Sequence, residues 1–468
     1  MALETNLGLK ADRLGLSVAD EDVAVARAAF RPSIRSTFQR ATSDQLPNSF
    51  LETTGVVSTG STAVTSSIFQ NLPRFGGGYS VQWAGNRSTT TANFSSFNPR
   101  LGSSLSISFA QPLLRNFLID SQRFSLQSAE RGRRIADLTL EGRIAQTRNS
   151  VQQAYLSLIA SLEGMKVAQQ NMDLAQVTLR TFRSRVAVGV SADIEVIQAE
   201  AQVAGNEENV VVAEANIGTA EDVLRALILD PARSDYWTVR LQPIDTIAAA
   251  PREIDVEGAI RNALASRLDL LAARRQQEIT ALAIRLDENL TKPEVNFSVN
   301  YTAQGTGGNQ FAYGEGFPPP ILAQTTRAFG SVLNDAFVGT YPAWTAGVTF
   351  AYPLGRSAAK AALARDRIQK NQEDLTIKNL ELLIATAVRN AGRDVQTNLK
   401  RVEATQKARL ATQRQLDAEQ RKFEVGLSSS FELQQRQRDL AASRVNELNA
   451  MIAYNRSIIA FERVQKIQ

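Results

Sequence analysis

The 468-residue sequence contains no histidine and no cysteine, and these are the side chains that most often carry chemistry in proteins. Without histidine there is no imidazole general base, no Ser-His-Asp arrangement and no imidazole metal ligand. Without cysteine, disulfides, thiolate nucleophiles and thiolate metal sites are excluded as well. Carboxylate-only catalysis, as in glycosidases, stays possible in principle, but no paired acid motif or compact α/β pattern accompanies it. We therefore expect no enzyme activity, no metal site and no cofactor.

Charge and hydropathy narrow the class of protein further. The chain has 52 basic and 47 acidic residues, and the excess of +5 is spread along it. No nucleic-acid-binding motif is present, so we expect no nucleic-acid partner. No apolar run approaches the ~18 to 20 residues of a transmembrane helix. The first residues enter an amphipathic pattern without a signal peptide, and we expect a leader that was removed or lies upstream of this start.

The sequence contains two copies of one plan. Phe-Ala-Gln-Pro-Leu at 109–113 returns as Phe-Ala-Tyr-Pro-Leu at 350–354, and Val-Gly-Val-Ser at 188–191 returns as Val-Gly-Leu-Ser at 425–428. Each copy predicts a helix, a strand, a long loop, a returning strand, and two long helices separated by a Gly-Ser break. The first repeat covers 1–230, with strands at about 33–42 and 101–112 and long helices at about 119–187 and 192–229. A linker covers 231–252; the second repeat covers 253–468, with strands at about 294–303 and 343–352 and long helices at about 356–424 and 429–465.

The long helices carry the heptad pattern of coiled coils. A seven-residue apolar period winds neighbouring helices into left-handed coiled coils, and mostly small residues three positions later allow close approach. The apolar row of the first helix pair is Ile144, Val151, Leu158, Met165, Met172, Leu179 and Val186, then Val196, Val203, Val210, Ile217 and Leu224. Heptads alone also suit a soluble coiled-coil structural or scaffold protein, which is the alternative function.

The predicted strands favour a membrane protein over that scaffold. Apolar residues alternate through 105–109 and again through 344–350. The intervening loops, about 41–100 and 303–341, are rich in Gly, Ser, Thr and Pro, and 79–83 in the first is strand-like. Such long loops are typical of the outer face of a membrane barrel. Four strands per chain cannot close a barrel, which needs about eight, so two copies would give eight strands and three would give twelve.

The order of the predicted helices, strands and loops resembles that of the TolC family of outer-membrane efflux proteins. The resemblance rests on Gln-Pro-Leu-Leu at 111–114, the two Gly-Ser breaks, and Arg-Leu-Asp-Leu at 267–270, where the family usually has Arg-Pro-Asp-Leu. It implies a mainly α fold with a small β part, built of two structural repeats, each a long coiled-coil helical hairpin plus a β-hairpin. It further implies a homotrimer, in which an α-helical tunnel is topped by a 12-stranded transmembrane β-barrel.

The resemblance also implies a location, partners and a function. Members of the family lie in the lipid of the cell outer membrane and extend into the periplasm. They conduct substrates passively to the exterior from a periplasmic adaptor (membrane fusion) protein and an inner-membrane pump or ABC exporter. They have no catalytic activity.

Two sets of site residues follow from the resemblance. The Gly-Ser breaks match the family's helix-turn-helix tips, which contact the adaptor: Val188, Gly189, Val190, Val425, Gly426 and Leu427. Six residues beyond each tip glycine stand Glu195 and Glu432, where the family often has an acid that faces the pore and narrows its periplasmic end. Simpler roles stay open, since glycine ends helices and serine starts them, and Ser429 with Glu432 matches a capping box.

Overall fold

The chain is mostly helical, with one antiparallel sheet. The computed structural model describes residues 2–47, 55–316, 319–355 and 357–466. Two units are distinguished. The helical unit comprises Met1–Ala19, Arg133–Gln276 and Glu373–Gln468, and the sheet unit comprises Asp20–Gly132 and Gln277–Gln372.

The helices follow the order that the repeat predicts, but the first helix of each copy is broken in two and the second copy has an added helix. Their bounds are α1 (Ala2–Thr5), α2 (Leu7–Ala28), α3 (Ser121–Ala187), α4 (Asp193–Ile228), α5 (Val256–Ser266), α6 (Leu268–Leu290), α7 (Phe329–Val338), α8 (Ala358–Glu424) and α9 (Ser430–Val464). The addition is α7, which lies in the interval expected to be a loop. In the described part of the chain, no helix combines the length and apolar composition of a membrane span.

Heptad residues form much of the core of the helical unit. Leu158 of α3 is fully buried and shares a cluster with Leu224 of α4. Val395 of α8 shares another cluster with Tyr454 of α9, whose hydroxyl donates to the Ala250 carbonyl at 2.8 Å. Burying one such apolar side chain contributes roughly 1.5–3 kcal/mol. The periodic rows therefore stabilise the pairing of the long helices.

Two buried arginines anchor the segments around the linker, which between α4 and α5 contains neither helix nor strand. Arg225 donates to the Val239 carbonyl at 2.8 Å. Arg267, only 1% exposed, binds the Asp269 carboxylate through Nε and Nη2, both at 2.9 Å, and reaches the Val464 carbonyl at 3.3 Å. A buried guanidinium needs such a paired carboxylate and carbonyl to offset its desolvation.

The described residues form a sheet of seven strands. They are β1 (Ser33–Gln45), β2 (Val57–Asn71), β3 (Gly78–Thr90), β4 (Phe97–Pro112), β5 (Glu294–Tyr313), β6 (Ile321–Arg327) and β7 (Tyr341–Ala351). They pair in the order β1-β2-β3-β4-β5, and the far edge of β5 pairs with β7 along 294–304 and with β6 along 308–313. Six strands therefore lie side by side at each level, with β6 and β7 sharing one position.

The prediction of one β-hairpin per repeat is wrong, since the described residues form four strands in the first repeat and three in the second, where β6 lies in the interval 303–341 that was expected to be a loop. The interval 41–100, expected to be a loop, contains β2 and β3, which lie between β1 and β4. These strands are rich in Ser, Thr and Gly, which are also the residues of turns, so their alternation is weak in the sequence. The count of four strands per chain is wrong too, and twelve strands no longer follow for a trimer.

The sheet has one apolar and one polar face. Residues paired across it share a face, and one row across the six positions is entirely apolar or aromatic: Ile34, Ile68, Val81, Ile107, Tyr301 and Trp344. The next row, on the opposite face, is Arg35, Ser67, Gln82, Ser106, Thr302 and Ala343. On the polar face, hydroxyl and amide groups pair across strands, with Ser108 donating to Asn300 at 2.7 Å.

The added helix α7 packs on the apolar face of the sheet. A Cβ at Gly305 would lie 2.1 Å from the Val332 carbonyl oxygen, and one at Gly307 would lie 2.5 Å from the Val332 side chain. Only glycine permits this approach of backbone to backbone. Helix α7 also exposes Phe337 and Val338, at 59% and 72%.

Candidate functional site

The first tip is a glycine-terminated helix end. Helix α3 ends at Ala187, and Gly189 follows with φ 77°. The Gly189 amide donates to the Val186 carbonyl and the Val190 amide donates to the Arg185 carbonyl, both at 2.9 Å. These are the two bonds of a Schellman motif, in which a left-handed residue satisfies the free carbonyls of the last turn.

The second tip repeats this geometry. Helix α8 ends at Glu424, and Gly426 has φ 79°. The Gly426 amide donates to the Phe423 carbonyl at 3.1 Å and the Leu427 amide to the Lys422 carbonyl at 2.8 Å. The two breaks that the sequence singles out are thus the same turn, placed 237 residues apart.

The tips expose apolar side chains. Val188 and Val190 are 73% and 61% exposed, and Val425 and Leu427 are 69% and 79% exposed. The first turns of the following helices continue the pattern, with Ile194 and Phe431 also exposed. Exposed branched aliphatic residues at two equivalent turns suit contact with a protein partner.

A shared core holds the two tips side by side in the helical unit. Phe182 of α3 and Phe423 of α8 meet edge to face, with ring centroids 5.6 Å apart. The Arg185 guanidinium lies 4.4 Å from the Phe423 centroid and donates to Ser191 at 3.3 Å. Leu433 of α9 joins the same cluster. Edge-to-face rings and cation–π contacts each contribute roughly 0.5–1.5 kcal/mol.

Glu195 links the first tip to the second. Its Oε1 accepts a hydrogen bond from the Ser430 hydroxyl at 2.7 Å, while its Oε2 is buried without a hydrogen-bond partner among the described residues. Ser430 is the first residue of α9. The carboxylate therefore sits against the start of the opposite hairpin, and only part of it contacts solvent.

Glu432 is exposed on the first turn of α9. Its backbone amide donates to the Ser429 hydroxyl at 3.2 Å, so Ser429 caps the helix. At the first tip, Ala192 occupies the N-cap position and supplies no side-chain hydrogen bond, so the two tips differ in this respect.

Glu419 is a site residue that the sequence patterns did not single out. It is buried on α8, where it accepts from the Ser428 hydroxyl at 2.5 Å and lies 3.4 Å from the Lys422 ammonium. The Ser428 hydrogen bond, opposed by burial and helped by Lys422, holds the pKa of the Glu419 carboxyl below its usual value. The run Ser-Ser-Ser at 428–430 was the available signal, since each serine there binds a side chain or caps a helix.

A groove of about 930 Å³ lies within the helical unit, lined by α3, α4 and α9. Its lining has small residues, two arginines (Arg438 and Arg456) and no carboxylate among the described residues. Its amide side chains are Asn171, Gln202, Asn206, Asn209, Asn216, Gln437, Asn446 and Asn449. Such a surface can hydrogen-bond to polar solutes of either charge without a strong preference for cations.

Comparison with known proteins places this geometry in a family. The family model described as "Outer membrane efflux protein" matches residues 61–228 and 259–463. The chain is 24% identical over 408 residues to outer membrane protein TolC of Vibrio cholerae, covering 85% of this chain and 82% of that protein. It is 26% identical over 251 residues to the pyoverdine export outer membrane protein OpmQ of Pseudomonas putida, covering 53% of this chain and 48% of OpmQ.

Solved structures share the fold. The structure of CusC superimposes with a TM-score of 0.69 at 13% identity, covering 100% of this chain and 90% of CusC. The structure of VceC from Vibrio cholerae superimposes with a TM-score of 0.68 at 15% identity, covering 99% and 94%. The family model spans most of both repeats, and the chain therefore belongs to the TolC family of outer membrane efflux proteins.

Proposed function

We propose that three copies of this chain form a passive conduit in the outer membrane, which extends into the periplasm. It conducts substrates to the exterior from a periplasmic adaptor and an inner-membrane pump or ABC exporter. The observation that carries the proposal is the sheet, which has one apolar and one polar face and two open edges. Membership of the efflux family supplies the direction of transport and agrees with the absence of His and Cys from the sequence.

The open edges support assembly from several copies. All residues of β1 and of β7 are exposed, and within the part of the chain that the structure describes each of these strands has a partner on one side only. In lipid an unpaired strand edge is not tolerated, because its amide and carbonyl groups have no water to bind. Pairing β7 of one copy with β1 of the next satisfies both edges and closes the sheet into a barrel.

The tips support docking to an adaptor. Val188, Val190, Val425 and Leu427 are the exposed aliphatic residues of two identical turns. In a trimer they form a ring of six similar contact points, which suits a partner that presents repeated helical ends. Gly189 and Gly426 set the direction of the chain there.

The acids beyond the tips support a charged aperture. Three copies each of Glu195 and Glu432 place six carboxylates in a ring, which favours cations and repels anions. Glu432 contributes the more exposed charge, whereas the Ser430 hydrogen bond fixes Glu195. The amide-lined groove continues the path with a surface of different character.

The first experiment tests the channel against a soluble coiled-coil scaffold. The chain is expressed with a bacterial export signal, membranes are separated by density, and samples are run on gels with and without heating. We expect the protein in the outer-membrane fraction as a heat-sensitive trimer. A soluble monomer or dimer would contradict the proposed channel.

A second arm tests transport. In a strain that lacks its own efflux channel but retains the adaptor and pump, the chain is expressed as a chimaera carrying that strain's own tip residues. This removes tip mismatch as a cause of failure. Restored resistance to a pump substrate is expected, and loss of resistance on replacing the apolar tip residues of the chimaera with aspartate would show that transport requires docking at the tips.

A further inference from the structure

The β2–β3 hairpin is inserted between two strands that the repeat leads one to expect as neighbours. In the second repeat β5 pairs directly with β7, whereas in the first repeat β1 and β4 are separated by β2 and β3. The two added strands are joined by a short turn, in which the Leu72 amide donates to the Gly77 carbonyl at 2.8 Å. This hairpin either spans the membrane as part of the proposed barrel or lies outside the bilayer.

β2 and β3 have lengths and registers like those of the neighbouring strands β1 and β4. β2 and β3 have 15 and 13 residues, against 13 in β1 and 16 in β4. The β1–β2, β2–β3 and β3–β4 ladders run without a register shift. A transmembrane strand needs about 9–11 residues, so the hairpin covers the same height as its neighbours.

The faces of the hairpin match those of the sheet around it. In β2, Val64 and Ile68 lie on the apolar face, and in β3 Val81 and Trp83 lie there too. The opposite face of the hairpin carries Gly, Ser, Thr, Ala, Gln and Asn, with Val57 and Phe69 as its larger apolar residues. β2 has no charged residue, and the one charge in β3 is Arg87 near its end.

Several polar side chains on the apolar face form hydrogen bonds within the protein. The Trp83 indole N–H donates to Ser103 at 3.0 Å, and the Tyr79 hydroxyl donates to Gln70 at 2.6 Å. The Ser36 and Ser66 hydroxyls pair at 2.9 Å. In water these pairs would gain little, but in lipid an unpaired donor costs several kcal/mol.

We propose that β2 and β3 are membrane-spanning wall strands, and that lipid covers the face formed by Val64, Ile68, Val81 and Trp83. Each chain then supplies six strands to the wall, and three chains close a barrel of eighteen. At a strand spacing of about 4.8 Å and a tilt of about 40°, the barrel is roughly 36 Å across, against roughly 24 Å for twelve strands. This inference rests on the proposed trimeric channel.

The absence of cysteine from the sequence makes a direct test possible, since each introduced thiol is unique. Single cysteines are placed in one level of the sheet: Ile68→Cys, Val81→Cys and Ile107→Cys on the apolar face, and Ser67→Cys, Gln82→Cys and Ser106→Cys on the polar face. Each is labelled with bimane in purified protein reconstituted into phosphatidylcholine vesicles. Quenching is measured with doxyl-labelled phosphatidylcholine and, separately, with aqueous iodide.

The β4 pair, Ile107 and Ser106, serves as the internal control. We expect doxyl quenching at Ile68 and Val81 to equal that at Ile107, and to exceed that at Ser67 and Gln82 about threefold. Iodide should show the reverse order. Suppose that doxyl and iodide quenching differ between Ile107 and Ser106 as expected, but that iodide quenches the labels at all four positions of β2 and β3. The hairpin then lies outside the bilayer and the inference is overturned, while the proposed channel stands.

If quenching at Ile107 and Ser106 fails to differ as well, the proposed channel and the inference are both overturned.

A second measurement tests the pairing of the edge strands between copies. Thr345→Cys in β7 is combined in turn with each residue of 33–45 in β1, and the protein is oxidised in membranes. Closure through the β7 and β1 edges of neighbouring copies predicts covalent dimers and trimers of the chain at one register. Oxidation that never joins chains at any register would overturn the eighteen-stranded closure.

Discussion

Single glycines set the direction of the chain at both tips. Gly189 and Gly426 have φ of 77° and 79°, and a Cβ at either position would meet nothing within 4 Å. Lack of space for a side chain is therefore not the reason for glycine at these positions. The left-handed backbone conformation is the reason, because an L residue in that region costs roughly 1–2 kcal/mol.

Replacing the second tip glycine tests this argument. Gly426→Ala should weaken the turn by about 1 kcal/mol, which raises local opening about fivefold. Gly426→Asn should restore most of the loss, since asparagine tolerates the left-handed region. Hydrogen exchange of the 425–430 amides is the measurement.

The matched control is Gly205→Ala in the interior of α4, where a Cβ also meets nothing within 4 Å. There the same substitution should stabilise the helix by roughly 0.5–1 kcal/mol. Equal, destabilising effects at both positions would show that the tip backbone is not the cause.

Glu419 makes the second tip sensitive to pH. Because its pKa in the folded protein is lowered, chiefly by the Ser428 hydroxyl, the ionised carboxylate favours the folded tip. That contribution is fully present above the unfolded pKa and is lost as the pH falls through the lowered, folded value.

We expect amide protection at 425–430 to fall in acid in the native protein, and Glu419→Gln to remove most of this dependence. Glu424→Gln, an exposed residue of the same helix, is the control and should keep the native pH profile. An unchanged profile in Glu419→Gln would locate the acid-sensitive group elsewhere.

At the scale of elements, helices were predictable and half of the sheet was not. The heptad row places Leu158 and Leu224 in one buried cluster, because an apolar period of seven persists over many turns and averages out exceptions. β2 and β3 offer no such average. Ser and Thr are the commonest residues of their polar face, and Gly60 and Gly85 interrupt the other face, so the composition of these strands resembles that of a loop. The Glu195–Ser430 contact joins residues 235 apart, which no local pattern can show.

Helix α7 and β5 give a prediction at this scale. Gly305→Ala places a methyl group 2.1 Å from the Val332 carbonyl oxygen, so α7 must shift away from the sheet. Overpacking of this kind costs typically 1–3 kcal/mol. We expect the heated trimer to dissociate at a lower temperature on gels.

The control for this prediction is Gly347→Ala in β7, where the added methyl meets nothing within 4 Å. It should leave the dissociation temperature unchanged. Equal behaviour of the two variants would mean that α7 is not held against the sheet by the close approach at Gly305.

At the scale of the whole molecule, the proposed conduit combines three features: a sheet with an apolar and a polar face, an amide-lined groove without carboxylates among its described lining, and carboxylates just beyond the tips. Amides carry no net charge, and the two arginines of the groove repel cations rather than attract them. A preference for cations should therefore depend on the acids beyond the tips.

The double variant Glu195→Gln, Glu432→Gln tests this dependence in planar bilayers under a salt gradient. We expect the reversal potential to move toward that of an unselective pore, because six carboxylates are lost from a trimer. Glu432→Gln alone should produce the larger share, since Glu195 is held by Ser430. Glu257→Gln, which removes a carboxylate paired with Arg389 in the helical unit, is the control. Unchanged selectivity in the double variant would reject the carboxylate ring, and the Glu195–Ser430 contact would then serve only to join the two tips.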